Sequence, residues 1–188
     1  MGLRFLTPIY DALCAVAGYG TGFRRWLIEL ARLQHDRRVL DVGCGTGRLA
    51  ILIKETFPSV RVDGVDPEPG ALAIARRKAA RRELAISFRE ASAEELPFAD
   101  AEFDNVLCTL ALHHIPDERK QAALREMRRV LRPVGELLLA DFDTSRGWLH
   151  RGKRRSRKRL EDWLREAGFA PSPVAVRRGV HVWRGRSE

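Results

Sequence analysis

The sequence predicts an α/β fold, a three-layer sandwich with helices on both faces of a mostly parallel sheet and an antiparallel hairpin at its C-terminal side. Three observations carry this expectation. Between Arg38 and Phe142, apolar runs alternate with amphipathic stretches of helical period, as βαβ units require. That span contains five strand-like runs. Near the C-terminus two further alternating runs meet at Arg178-Gly179, a dipeptide suited to a hairpin turn, and bring the expected strands to seven.

The elements follow in order. Pro8 opens a helical stretch through IYDALCAVA, which Gly18, Gly20 and Gly22 break. A second, FRRWLIELARL, places Phe23, Trp26, Leu27, Leu30 and Leu33 at helical spacing. These two either cover one side of the sheet or form a lid. RVLDVG is the first strand, followed by the helix GRLAILIKETF, which Pro58 stops. VRVDGVD and PGALAIARRKAA form the next pair, with Pro69 in the helix's first turn. AISFREA is the third strand, FDNVLCTLAL the fourth, PDERKQAALREMRRVL a strongly amphipathic helix and GELLLADF the fifth strand. A basic loop, RGWLHRGKRRSRKR, then leads to the helix LEDWLREAG and the hairpin SPVAVRRGVHVWRGR. With no internal repeat and no other low-complexity linker, residues 1–188 read as one domain.

A chain of 188 residues can bury a sizeable single core. Its net charge of +9 invites anionic partners such as nucleic acid, membrane surface or acidic substrates; an arginine-rich proteome accounts for it equally well. Cys14, Cys44 and Cys108 are odd in number and form no CxxC pair, which argues against a disulfide framework or zinc site and for a reducing, cytoplasmic setting. The N-terminus resembles a weak signal peptide, but Pro8 and Asp11 interrupt its apolar run, so a retained helix is expected. No run reaches the ~18 apolar residues of a membrane span.

The stretch VLDVGCGTGRLA, residues 39–50, carries the chemistry. A dinucleotide fingerprint needs G-x-G-x-x-G, but Arg48 stands where its third glycine belongs; a Walker loop needs Gly-Lys-Ser/Thr, which is absent. Asp41, just before the loop, would repel a polyanion and suits a cationic amine. Asp66 ends the second strand, where an acid can accept from ribose hydroxyls. A nucleoside bearing an amino-acid-like cation and no phosphate satisfies both, and S-adenosylmethionine fits that description.

Four blocks in order make the resemblance specific: VLDVGCGTGRLA, VDGVDPEPGALAIARRKA, AEELPFADAEFDNVLCTLALHHIPD and REMRRVLRPVGELLLADF. The chain resembles class I S-adenosylmethionine-dependent methyltransferases, which have a Rossmann-like fold, and within them the small ubiquinone/menaquinone-biosynthesis-like type. The resemblance implies a division into a helical cap (1–35), a cofactor-binding core (36–143) and a tail of basic loop, helix and hairpin (144–188). It implies that Asp41, Gly43, Cys44, Gly45 and Gly47 line the methionine end of the cofactor, with Thr46 at the helix start. Asp66 would take the ribose, Pro67 would pack near the adenine, and Ser92, Ala93 and Glu94 would border it; Cys108 and Leu110 complete the set. Many relatives carry Asp at the position of Ser92, and Glu94 is the candidate substitute. Pro133-Val134-Gly135 replaces the usual Pro-Gly-Gly, and Val134 argues against a turn needing positive φ there.

Methyl transfer from a sulfonium is an in-line displacement that positioning and desolvation can largely promote. His113 and His114, just past the fourth strand, are the candidate bases; the alternative is that one of them caps the next helix or bonds backbone. Tyr10 is a candidate lid aromatic, with a core role as its alternative. Cys44 and Cys108 read as packing positions rather than nucleophiles, and Trp148, Trp163 and Trp183 as core or edge packing. The expected acceptor is a small or lipophilic molecule, quinone-precursor or phospholipid-like, yielding S-adenosylhomocysteine as product. Arg151–Arg159 admits three roles: a solvated loop, peripheral contact with anionic membrane, or contact with nucleic acid, the last least supported for want of interleaved aromatics. The competing classes are an NAD-dependent dehydrogenase, which Arg48 disfavours, and a non-catalytic cofactor- or nucleic-acid-binding protein keeping the fold.

Overall fold

The computed structural model describes residues 18–142 and 156–187. Within them seven strands form one sheet: β1 (Arg38–Val42), β2 (Arg61–Asp66), β3 (Ile86–Glu90), β4 (Phe103–Thr109), β5 (Leu131–Phe142), β6 (Phe169–Arg177) and β7 (Val180–Ser187). Their order is β3-β2-β1-β4-β5-β7-β6, with the first five parallel and β7 antiparallel to both β5 and β6. The helices are α1 (Thr21–Ala31), α2 (Arg48–Thr56), α3 (Pro69–Ala80), α4 (Asp117–Val130) and α5 (Ser156–Glu166), with a 3₁₀ turn at Leu112–His114.

Two cores separate the layers. Phe23 and Leu27 of α1, Leu49 and Ile53 of α2 and Leu72 and Ala75 of α3 pack on one face against Val39, Leu107 and Leu138. Leu124 and Met127 of α4 and Leu164 of α5 cover the other, against Leu40, Val106, Leu139 and Trp183. Adjacent strand residues point to opposite faces, so β1 sends Val39 and Asp41 toward α1–α3 while Leu40 and Val42 go to α4. Trp183 is buried as expected and Trp163 packs against the second core; Trp148 lies outside the described residues.

Several boundaries differ from expectation. The second helical stretch begins at Thr21 rather than Phe23, so Gly22 sits in the first turn of α1. That helix ends at Ala31, where Arg32 turns left-handed (φ 50°), so Leu33 packs from outside it. Strand β5 begins at Leu131 rather than Gly135, pairing with β4 across an irregularity between Phe103 and Asn105. There Val134 takes φ +60°, contrary to the expectation that a β-branched residue excludes it. Its neighbour explains this: a Cβ on Gly135 would lie 2.9 Å from the Arg132 carbonyl and 3.1 Å from that of Asp104, so backbone packing fixes the turn. Val134, 89 % exposed, absorbs the strain. The basic stretch is not loop as far as Arg159, because α5 already begins at Ser156; Arg and Lys are good helix formers. Residues 151–155, Tyr10 and the helix expected after Pro8 lie outside the described residues. The hairpin is as expected, with a two-residue turn at Arg178 (φ 53°) and Gly179 (φ 80°), and its prolines, Pro171 and Pro173, lie on the outermost strand. Among the described residues no helix is long and apolar enough to cross a membrane.

Candidate functional site

The site forms where β1, β2 and β4 end at the carboxyl edge of the sheet, the usual ligand side of an open parallel sheet. Residues 43–47 leave β1 with Gly43, Gly45 and Gly47 all at positive φ (72°, 52° and 74°). Gly43 and Cys44 donate their N–H groups to the Val65 carbonyl, and Gly47 caps α2. At Gly43 a side chain is excluded outright, since a Cβ would lie 2.4 Å from that of Ala111. The loop therefore presses directly on the segment that carries His113 and His114.

A cleft of about 690 Å³, open to solvent, runs along this loop. Asp41, Gly43, Cys44, Gly45, Thr46, Arg48 and Leu49 line it from β1 to α2, Thr109 and Leu110 from the end of β4, and Tyr19, Phe23, Arg24 and Leu27 from the α1 side. The N-terminal helix thus both covers the sheet and walls the cleft.

Asp41 is the electrostatic centre. It is 1 % exposed, and its Oδ2 has no hydrogen-bond partner among the described residues. Burial pushes its pKa up to about 7, against the opposing effects of the Ala50 N–H and the Arg24 guanidinium. A buried carboxylate oxygen with nothing to bond, on a residue that lines the cleft, is a built acceptor for a cation or N–H donor. Those features fit the amine-bearing end of S-adenosylmethionine: an orphaned anion beside a glycine loop whose backbone admits close approach.

Asp66 lies one step outward. Its carboxylate braces the loop, accepting from Gly45 N–H at 2.8 Å and Glu68 N–H at 2.9 Å, and each oxygen keeps a lone pair for a ligand. Thr46 is buried and accepts from Lys78 Nζ at 2.9 Å, which ties the loop to α3.

Of the residues singled out from sequence, Asp41, Gly43, Cys44, Gly45, Thr46 and Leu110 meet in the cleft. Gly47 sits immediately behind it, packed toward Ala75 and Phe88. Pro67, Ser92, Ala93 and Glu94 share the sheet edge but are not among the cleft-lining residues; Ser92 and Pro67 are exposed, and Ala93 packs against the second core. Cys108 is not among the cleft-lining residues. Paired with Val42, it points to the α4 face, where it is fully buried; Thr109, on the opposite face, lines the cleft instead. Burial raises the thiol pKa of both Cys44 and Cys108, in keeping with packing roles.

His113 and His114 stand beside the cleft rather than in its lining. His113 Nδ1 lies 2.7 Å from Asp141 Oδ1, and its backbone N–H donates to Asp141 Oδ2 at 2.9 Å. The two imidazoles are 3.9 Å apart between centroids, and Phe142 links His113 to the cleft residue Tyr19 through edge contacts at 5.4 and 5.5 Å. Desolvation and then His113 lower the pKa of His114. Asp141 was missed from sequence, as were Thr109, Arg24 and Tyr19. A lone acid at the end of the apolar run LLLADF was the available signal for the first.

The family described as "Methyltransferase domain" matches residues 39–135, and the chain belongs to it. Demethylmenaquinone methyltransferase of Thermus thermophilus is 41 % identical over 139 residues, 73 % of this chain and 62 % of that protein. The ubiquinone/menaquinone biosynthesis C-methyltransferase of Geobacter sulfurreducens is 36 % identical over 150 residues, 77 % and 57 % respectively. The chain thus spans less than two thirds of these relatives' length. Among solved structures, an S-adenosylmethionine-dependent methyltransferase from Aquifex aeolicus shares the fold over the whole of both chains, with a TM-score of 0.82 at 18 % identity.

Proposed function

We propose that the chain is an S-adenosylmethionine-dependent methyltransferase acting on an aromatic, quinol-type small molecule. The observation that carries this reading is the orphaned, buried Asp41 carboxylate in a cleft built on the glycine loop. When bound, S-adenosylmethionine supplies an electrophilic methyl group on a cationic sulfur. Asp41 would hold its amine, and Gly43 and Gly45 would let backbone approach its methionine end. Asp66 would offer its unused lone pairs to the ribose, with Pro67, Ser92, Ala93 and Glu94 around the base.

The acceptor class rests on two supports. Relatives at 36 to 42 % identity are named for methylation of demethylmenaquinone or in ubiquinone and menaquinone biosynthesis. Tyr19 and Phe23 make one wall of the cleft aromatic, and Phe142 and His113 continue it. Flat rings pack well on such edges. These supports favour a quinol over a phospholipid acceptor and over a fold kept only for binding.

The test is transfer of labelled methyl from S-adenosylmethionine to a short-chain demethylmenaquinol under reducing conditions. Labelled product with one added ring methyl is expected. A folded protein that binds S-adenosylhomocysteine but labels no quinol would overturn the acceptor assignment.

A further inference from the structure

We propose that Asp141 is a positioning residue that fixes His113, and not its neighbour His114, as the proton acceptor of the site. The proposal rests on the methyl-transfer reading, because it assigns which group removes a proton from the acceptor's hydroxyl.

Asp141 sits near the end of β5, 4 % exposed, among apolar neighbours. Its carboxylate gathers three N–H donors: the backbone of His113 at 2.9 Å, the backbone of Phe142 at 2.7 Å and the His113 ring at 2.7 Å. The two backbone bonds lock the carboxylate in place, so the ring must turn to it. An ionised carboxylate only accepts, so the imidazole donates through Nδ1 and its neutral form keeps Nε2 as the open acceptor. No partner occupies Nε2 among the described residues. The arrangement matches that of the acid in triads, which holds a histidine in one tautomer and orientation.

His114 lacks this support. It is exposed, no ring hydrogen bond holds it among the described residues, and it is made a weaker base by desolvation and by His113 beside it. Among the described residues, Asp141 on β5 and Asp66 on β2 act on His114 besides His113, and Asp141 is paired with His113.

For a phenolic acceptor the step balances. The hydroxyl proton passes to His113 Nε2. The acceptor carbon takes the methyl group, whose former bond leaves its electron pair on sulfur. The displaced ring proton goes to solvent, and the imidazolium returns its proton to the ring oxygen.

Two readouts test this on the full chain. Long-range ¹H–¹⁵N spectra of the ligand-free protein should show neutral His113 as the Nδ1–H tautomer, and Asp141→Asn should abolish that preference. With demethylmenaquinol, Asp141→Asn and His113→Gln should each lower kcat roughly 100-fold with KM within about threefold, the range for loss of a positioned base. His113→Gln leaves the Asp141 backbone bonds intact and guards against misfolding of the first variant. The double variant should be no worse than either single one, and His114→Ala should keep kcat within about threefold. A His113 tautomer indifferent to Asp141, or a His114→Ala loss equal to that of His113→Gln, overturns the proposal. An Asp141-dependent tautomer in a chain that methylates no quinol instead overturns the acceptor assignment and upholds the positioning role.

Discussion

Replacing Asp41 by Asn should make the protein more stable and bind its ligand worse. The carboxyl is 1 % exposed and its pKa is pushed up by burial to about 7 from an ordinary 3.8. That rise of roughly three units corresponds to roughly 4 kcal/mol, at about 1.4 kcal/mol per unit. An acid whose folded pKa lies above its unfolded value stabilises the fold fully below the unfolded value. It loses that contribution as pH rises toward 7. Above pH 7 the native state therefore carries the whole cost of a buried charge, and Asn removes it while still able to accept from the Ala50 N–H. At pH 8 the melting temperature of Asp41→Asn should exceed that of the wild type by on the order of 10 °C, with the gap closing as pH falls toward 4. Affinity should move the other way. A charge-assisted hydrogen bond contributes about 1.5–3 kcal/mol, so S-adenosylhomocysteine should bind roughly 10- to 150-fold more weakly to the variant at pH 8. Wild-type affinity should fall up to about tenfold per pH unit below 7, as Asp41 must lose its proton to engage a cation, and the variant should lack this slope. Scanning calorimetry and isothermal titration at pH 6 and 8 measure both. A variant less stable at pH 8, or one of unchanged affinity, would refute the reasoning.

Two further perturbations probe the scaffold. Gly43→Ala forces a methyl to within 2.4 Å of Ala111 Cβ at a φ of 72°, and should cost roughly 3 kcal/mol in urea unfolding. Adding Ala111→Gly should recover part of the loss, since it relieves the contact but not the φ. Val134→Asn should stabilise by about 1 kcal/mol, because asparagine tolerates the left-handed conformation that valine holds at φ +60°; an unchanged or lower unfolding midpoint would count against that strain.

The core of the fold was readable because its signals are local. PGALAIARRKAA runs from Pro69 to Ala80 as a helix, as its opening proline and apolar spacing indicate. The two-residue turn at Arg178-Gly179 set the hairpin register. The position of Asp41 beside the glycine loop was legible from the strand VLDV running directly into GCGTG, and the structure places it in the cleft lining. The misses were non-local. Cys108 and Thr109 are adjacent, and only the pairing of β4 with β1 decides which of them faces the cleft. The positive φ of Val134 follows from Gly135 meeting backbone distant in sequence, at Asp104. Helix α5 looked like loop at its start because charge alone marks Ser156–Arg159; its apolar side, Leu160, Trp163 and Leu164, is defined by α4 and the sheet across from it. Asp141 gained meaning only when β5 met the turn that carries His113.

Isothermal titration of the wild-type protein with S-adenosylhomocysteine, with NAD as the comparison, tests the central claim most directly. Saturable binding of S-adenosylhomocysteine at one site per chain, and none of NAD, is the expected result. Absence of S-adenosylhomocysteine binding by a protein shown to be folded would contradict the assignment of the Asp41 cleft.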